Sequence, residues 1–178
     1  MNVKIYPSSP QGAVTVPSSK SMAHRLLICA ALAAGRSVIE NVGFSQDILA
    51  TMDGLTALGA EFEISGSTVT VTGCGGNPRA NAPLPCRESG STLRFLLPLC
   101  LLNGGGRLTG SQRLMERPLS VYEEICAARG ISFSPTQDGI SLCGTLTGGD
   151  FSVRGCPPAG PGTRPAPTVL RTYLWVEC

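Results

Sequence analysis

The feature of this sequence that most constrains its fold is an internal repeat about 70 residues long. The segment 57–62, Ala-Leu-Gly-Ala-Glu-Phe, is followed 71 positions later by the similar segment 128–133, Ala-Arg-Gly-Ile-Ser-Phe. In the same way, the dipeptides 20–21 (Lys-Ser) and 90–91 (Gly-Ser) each precede an apolar stretch with helical spacing. A repeat of this length predicts two copies of one supersecondary unit.

Each copy reads as alternating strands and helices. In the first copy, apolar periodicity, caps and turn residues predict strands at 13–16, 37–40, 61–64 and 68–72 and helices at 21–34 and from Ser45 to Gly59. In the second copy they predict helices at 91–102 and 119–129 and strands at 107–109, 131–134 and 140–143. A third copy opens with a strand at 151–153. We therefore predict an α/β (α+β) fold of repeated βαββαβ units, with two units and the start of a third.

Composition and charge exclude several classes of function. The net charge of +2 gives no reason to expect a nucleic acid or an anionic membrane as partner. The longest apolar stretch, 93–102, is too short to span a bilayer. The cysteines form no C-x-x-C pair and there is one histidine, so no metal site is expected. The sequence start lacks the apolar segment of a secretory signal, so we expect a cytoplasmic protein. We also expect no cofactor.

The character of the sequence changes after Gly155. Residues 156–167 are rich in proline, which excludes a continuous helix or central strand. The apolar segment 169–176 has no preceding segment against which it would pack. We predict that 156–178 is a tail without regular structure, arising from a shifted reading frame or a truncation. Core surface left exposed would then favour association.

The first candidate site lies at the predicted start of a helix, in the segment 17–21, Pro-Ser-Ser-Lys-Ser. Helix starts present unpaired N–H groups and the positive end of the helix dipole, which favour phosphate or carboxylate. Lys20 adds a full charge, Ser21 adds a hydroxyl, and Arg25 falls on the same helix face one turn later. The alternative is an ordinary serine cap with solvated cations, because short Ser/Lys motifs also occur by chance.

The second candidate site is the matching helix start of the second copy, with glycine in place of the lysine. Gly90 allows a ligand to approach the backbone closely, and Ser91 and Arg94 follow it as further candidates. The alternative is a capped helix start in which the glycine supplies a turn.

The third candidate is Arg117, placed just before Pro118. Proline fits the first turn of a helix, so Arg117 is predicted at the helix start, where it can bind a phosphate through two hydrogen bonds. The alternative is a surface arginine paired with Glu116 or Glu123. His24 is expected to be solvated or to face a neighbouring helix, because no carboxylate or nucleophile is placed to pair with it.

Taken together, three segments resemble the 5-enolpyruvylshikimate-3-phosphate synthase family: 19–25, Ser-Lys-Ser-Met-Ala-His-Arg; 88–95, Glu-Ser-Gly-Ser-Thr-Leu-Arg-Phe; and 108–118, which contains Leu-Thr-Gly and Met-Glu-Arg-Pro. The resemblance runs in order to about residue 155. It implies two domains of three βαββαβ units each, with the active site between them. It also implies transfer of an enolpyruvyl group from phosphoenolpyruvate to the 5-hydroxyl of shikimate 3-phosphate. Phosphate is released through a tetrahedral intermediate.

The resemblance also implies roles for individual residues. The lysine matching Lys20 touches both substrates and neutralises charge as the intermediate forms. Residues matching Ser21 and Arg25 hold shikimate 3-phosphate, and those matching Gly90 and Arg117 hold phosphoenolpyruvate. Gly90 is also the position against which the herbicide glyphosate would press.

Departures from the family pattern lower the expected activity. The resemblance assigns 1–12 to a strand of the second domain and 13–155 to the first. After the strand at 151–153, Cys-Pro-Pro stands where the family has a Ser-Ser-Gln-Phe helix start, and the acid/base groups of the second domain have no counterpart. We expect negligible activity from this chain alone. Two rival interpretations are a non-catalytic anion-binding fragment and a UDP-N-acetylglucosamine enolpyruvyl transferase, which has Lys-Asn at 20–21.

Overall fold

The computed structural model describes residues 4, 6, 9, 11–80, 82–102 and 104–148, together with the backbone of 151–153 and 168–170. The first unit contains α1 (Lys20–Leu32), β1 (Arg36–Ile39), α2 (Gln46–Ala57), β2 (Glu61–Ser65) and β3 (Thr68–Thr72). The second contains β4 (Leu84–Pro85), α3 (Gly90–Leu102), β5 (Gly105–Thr109), α4 (Gln112–Met115), α5 (Ser120–Ala128), β6 (Ser132–Pro135) and β7 (Gly139–Cys143). Two further strands are β8 (Phe151–Val153) and β9 (Thr168–Leu170).

The two units share one sheet topology. The first sheet has the order β1-β3-β2 and the second has the order β4-β5-β7-β6. In both sheets the last strand of the unit lies between the other two and is antiparallel to each. The second sheet has a fourth strand, because β4 pairs in parallel with β5. The predicted mixed helix-and-sheet architecture is therefore confirmed, and the two described units share one strand order.

The strand predicted at 13–16 is wrong. Val14 and Val16 are 88% and 78% exposed, and no strand of the described chain pairs with this segment. In the second unit, the strand before the first helix, β4, pairs with β5. By analogy, the segment 13–16 would have to pair with β1 in the first unit. A strand is stable only when its backbone groups find partners on a neighbour, and alternating apolar residues do not supply that neighbour.

Local signals placed most other boundaries to within a few residues. Ser45 caps α2 by accepting a hydrogen bond from the Ile48 N–H at 3.4 Å, and Gly59 ends it with a φ of +104°. Helix α5 begins at Ser120, one residue after the predicted start, so Leu119 is its cap and Pro118 precedes the first turn. Residues before Pro118 instead form the short helix α4, which the sequence did not reveal.

The core lies where the three long helices meet. Helix α2 packs against both α1 and α3. Gly54 of α2 makes the second contact possible, because a Cβ at this position would collide with Leu96 of α3. Leu96 is fully buried, and burying a leucine side chain stabilises the fold by about 1.5–3 kcal/mol. This close packing sets how the helix starts are placed relative to one another.

The strand predicted at 151–153 is confirmed as β8. It pairs antiparallel with β9, which lies inside the segment predicted to lack regular structure. The expectation that 156–178 lacks regular structure is therefore wrong at 168–170, because two extended segments can pair through their backbone groups alone. Residues 154–167 and 171–178, most of the predicted tail, lie outside the described residues. Within the described part, no helix is long and apolar enough to cross a membrane.

Candidate functional site

The first turns of α1, α2 and α3 meet at one place. Lys20, the first residue of α1, forms an ion pair with Asp47 of α2, with 2.6 Å between Nζ and Oδ2. The main-chain carbonyl of Asp47 accepts a hydrogen bond from the Thr92 hydroxyl of α3 at 3.2 Å. Thr92 lies two residues after Gly90. The fold therefore brings together the two helix starts that the sequence predicted as anion sites.

The start of α1 carries two exposed cations, Lys20 and Arg25. Ser19 caps the helix by accepting a hydrogen bond from the Met22 N–H at 3.3 Å. The Arg25 guanidinium donates to the Ser21 hydroxyl at 2.6 Å and to its carbonyl at 2.8 Å. It also lies over the Phe95 ring, 5.5 Å from the centroid. These contacts hold Arg25 in place before any ligand is bound.

The start of α3 places a glycine against an arginine. Gly90 is buried, and a Cβ there would collide with Nη1 of Arg117. Within the described residues, the Arg117 guanidinium has no hydrogen bond or ion pair, and Glu116 instead accepts a hydrogen bond from Gln112 at 3.2 Å. Arg117 is therefore a free cation beside the N–H groups of a 13-residue helix, although it does not lie at the start of α5 as predicted.

The other two candidates lie on the exposed side of α3. Ser91 and Arg94 are both exposed. The carbonyl of Arg94 accepts a hydrogen bond from the Tyr122 hydroxyl at 3.1 Å, which ties α3 to α5. Burial raises the pKa of Tyr122, and the positive charge of Arg94 opposes that rise. The Arg94 guanidinium remains without an ion pair in the described part of the chain.

Arg87 ties the loop before Gly90 to α2, a feature that the sequence gave no sign of. Its guanidinium donates to Asp53 at 2.6 Å and to Gln46 at 2.7 Å. Its φ of +51° lies in the left-handed region, where glycine is the residue without strain. The two side-chain contacts oppose that strain.

A buried polar cluster lies beneath the exposed cations. His24 is 1% exposed, so the expectation of a solvated ring is wrong; the ring faces α2, where its Nδ1 lies 2.8 Å from the Thr51 hydroxyl. Burial lowers the pKa of His24, Asp47 raises it, and Lys20 and Arg25 lower it further. Sequence reasoning missed Thr51. The available signal was a polar residue on an otherwise apolar helix face.

The arrangement suits an anion better than a metal. Two cationic side chains, Lys20 and Arg25, lie on α1 near its start, and two more, Arg94 and Arg117, lie on α3 or against its first residue. Of these four, Lys20 is the one paired with the Asp47 carboxylate among the described residues. Helix dipoles and N–H groups add to the positive potential. Among the described residues there is no group of three or more side chains that could hold a metal ion.

Comparisons with known proteins agree with this geometry. Residues 6–127 match the family model described as EPSP synthase (3-phosphoshikimate 1-carboxyvinyltransferase). A 3-phosphoshikimate 1-carboxyvinyltransferase from Clostridium perfringens is 42% identical over 157 residues, which cover 86% of this chain and 37% of that protein. The corresponding protein of Clostridioides difficile is 40% identical over 167 residues, covering 86% of this chain and 38% of that protein.

Solved structures give the same answer for the fold. An EPSP synthase from Acinetobacter baumannii has a TM-score of 0.68 and 25% identity, covering 79% of this chain and 34% of that one. A second structure of EPSP synthase from this organism has a TM-score of 0.65 and 26% identity, covering 75% and 32%. The matched part of the chain thus spans about a third of the length of these relatives, from 32% to 38%. With most of its residues matched by the family model, the chain belongs to the EPSP synthase (3-phosphoshikimate 1-carboxyvinyltransferase) family.

Proposed function

We propose that this chain forms one part of the active site of a 3-phosphoshikimate 1-carboxyvinyltransferase. That enzyme transfers the enolpyruvyl group of phosphoenolpyruvate to shikimate 3-phosphate and releases phosphate. The observation that carries the proposal is the Arg117 guanidinium, which has no ion pair among the described residues and lies against Gly90 at the start of α3. An exposed arginine without an ion pair beside free helix N–H groups is an arrangement suited to a phosphate.

In this proposal, phosphoenolpyruvate binds at the start of α3. Gly90 supplies close access to the backbone because it has no side chain, and Arg117 supplies charge and two parallel donors. Ser91 and Arg94 lie on the exposed side of the same helix start and can contact the same ligand. Glyphosate would press against Gly90.

Shikimate 3-phosphate binds at the start of α1. Ser21 and Arg25 are already hydrogen-bonded to each other, so the guanidinium needs little reorganisation to receive a phosphate. Lys20 stands between the two ligands and assists catalysis by stabilising the charge of the intermediate. Its ion pair with Asp47 holds the ammonium group near the junction of α1 and α2.

The domain division supports the same role. We propose that 1–12 belongs to a strand of the second domain, that 13–155 is the enolpyruvyl transferase domain, and that 156–178 stands outside the family fold. The carboxylates and further cations of the reaction come from that second domain. The chain alone then has negligible turnover, and its place of action is the cytoplasm.

Titration calorimetry with the full chain tests the binding proposal. Shikimate 3-phosphate should bind weakly, and Lys20→Ala or Arg25→Ala should weaken it by about tenfold or more, because each removes a charge-assisted contact. Arg36→Ala is the matched control, since Arg36 lies on β1 and pairs with Glu63 away from the helix starts. Equal affinity in all four proteins contradicts the proposed site.

A complementation experiment tests the catalytic part. The carboxy-terminal part of the Clostridium perfringens relative, which this chain does not match, is added to the chain. Phosphate release is then followed in the presence of both substrates. Turnover only in the mixture supports the proposal. Binding without turnover in the mixture favours the non-catalytic anion-binding fragment, and binding of UDP-N-acetylglucosamine in place of shikimate 3-phosphate favours the other transferase.

A further inference from the structure

Buried hydrogen bonds join the three helices whose starts form the site. Thr51 of α2 and Thr92 of α3 are fully buried, and their Oγ1 atoms lie 2.7 Å apart. His24 of α1 reaches Thr51 through Nδ1 at 2.8 Å. The Ser89 hydroxyl, which also caps α3, lies 2.7 Å from that of Thr92. One line of hydrogen bonds therefore runs from α1 through α2 to the residue just before Gly90.

The number of protons in this cluster indicates how it is arranged. The Asp47 carbonyl lies 3.1 Å from the Thr51 hydroxyl and 3.2 Å from the Thr92 hydroxyl, which brings the polar contacts of the cluster to five. Its three hydroxyls contribute three protons, and the carbonyl contributes none. The hydroxyl protons can therefore satisfy three of the five contacts. A proton on Nδ1 of His24 satisfies a fourth, the contact with Thr51. A proton on Nε2 satisfies none, because Nε2 has no partner among the described residues. The contacts favour the Nδ1–H tautomer.

We propose that His24, Thr51 and Thr92 are positioning residues that hold the helix start of Lys20 in place relative to the helix start of Gly90. This inference rests on the proposed function. The three side chains are buried and donate their protons within the cluster, so they act on ligands through the helices and not by contact.

The physical reason is the sensitivity of a buried hydrogen bond to displacement. Apolar packing tolerates small sliding movements between helices, whereas a hydroxyl–hydroxyl bond weakens steadily once the oxygens separate beyond about 3 Å. Inside an apolar core no water replaces the lost partner. Asp47 extends the cluster to the surface, because its carbonyl lies within hydrogen-bonding distance of both threonine hydroxyls and its carboxylate pairs with Lys20. The two ligands are therefore expected to bind in a coupled manner.

Matched variants of the full chain separate positioning from general stability. Thr51→Val removes the hydroxyl and keeps the shape, and Thr51→Ser keeps the hydroxyl. Thr56→Val is the control, since Thr56 is on the same helix and donates to the Met52 carbonyl at 2.9 Å without joining the cluster. His24→Asn retains an N–H donor near the Nδ1 position and is a second conservative control. If a valine variant fails to fold, the tautomer of His24 in the wild-type chain still tests the inference.

The measured quantity is a coupling factor, the ratio of the phosphoenolpyruvate Kd without shikimate 3-phosphate to the Kd at its saturation. Thr51→Val and Thr92→Val should lower this factor by about fivefold or more, which is the lower end of typical coupling between sites. Thr51→Ser, His24→Asn and Thr56→Val should retain it. A coupling factor that is unchanged in both valine variants overturns the inference.

A second measurement needs no ligand, so it distinguishes failure of this inference from failure of the proposed function. In NMR spectra, the backbone amide resonances of Ser21 and Gly90 should both shift in Thr51→Val. Neither resonance should shift in Thr56→Val. His24 is the sole histidine, so its ¹⁵N spectrum reports the tautomer directly. If the chain binds neither substrate but both amides shift, the proposed function fails and the positioning role stands. If the amides do not move, or Nε2 carries the proton, the positioning role is overturned.

Discussion

Replacing Gly90 by alanine should displace Arg117 and weaken phosphoenolpyruvate binding without unfolding the chain. Gly90 is not among the residues with positive φ, so its backbone accepts alanine. The added Cβ would collide with Nη1 of Arg117 and would lie 3.5 Å from Cζ and 3.7 Å from Cδ. The obstructing group is the end of a flexible side chain without a hydrogen bond in the described part of the chain. It can therefore move away at little cost.

The expected magnitude follows from the contact that is lost. A hydrogen bond between charged groups contributes about 1.5–3 kcal/mol, which corresponds to a Kd for phosphoenolpyruvate raised roughly tenfold to 150-fold. The free energy of unfolding should change by less than about 1 kcal/mol, because alanine favours helix relative to glycine and this gain offsets the crowding. Glyphosate binding should weaken as well if it presses against the same position.

A double-mutant cycle tests this reasoning. Titration calorimetry gives the phosphoenolpyruvate affinity of the wild type, Gly90→Ala, Arg117→Ala and the double variant, and thermal unfolding gives their stabilities. If Gly90→Ala acts through Arg117, the alanine at position 90 should have little further effect when Arg117 is already absent. Wild-type affinity in Gly90→Ala refutes the displacement, and an equal penalty in both backgrounds shows that Arg117 is not involved.

Three further predictions concern charge, pH and thiols. Asp47→Asn should tighten shikimate 3-phosphate binding several-fold in calorimetry, because it removes the carboxylate that neutralises Lys20, and it should cost under about 1 kcal/mol of stability. Burial lowers the pKa of His24 below its ordinary value of 6.5. Below pH 6.5 the unfolded chain therefore binds a proton that the folded chain does not. The free energy of unfolding, measured in urea, should fall as the pH drops through 6.5. Burial raises the pKa of Cys86 from 9.0 to about 12, so at pH 8 iodoacetamide should modify it about a thousandfold more slowly in the folded than in the unfolded chain, with the exposed Cys29 as the reference.

Each of these predictions has a clear contrary result. Unchanged or weaker binding in Asp47→Asn would mean that the carboxylate does not compete with the ligand for Lys20. A pH dependence of stability that persists in His24→Asn would assign it to other groups. Equal modification rates for Cys86 in the folded and unfolded chain would show that its thiol is accessible.

The repeat and the helix caps could be predicted from the sequence because they depend on nearby residues. Periodicity is a property of a short window, and Ser45 caps α2 through a backbone N–H only three residues away. The same locality placed Ser21 and Arg25 on one helix face, where they are hydrogen-bonded. These features follow from geometry within a few turns of chain.

Contacts between distant segments were decided by the tertiary structure. The segment 13–16 has strand-like residues but no neighbouring edge, so it does not form a strand. Arg117 lies against Gly90 because α4, which was not predicted, turns the chain before α5. His24 is buried because α2 and its Thr51 hydroxyl pack over the ring.

The sequence by itself therefore determined which residues stand at helix starts and what charge they carry. Only the packing of α2 between α1 and α3 decided that the helix starts of Lys20 and Gly90 lie close together, through an ion pair and buried hydroxyls that join residues 27 to 45 positions apart. The physical reason is that caps and periodicity are satisfied within one element, whereas a buried polar group finds its partner by proximity in space.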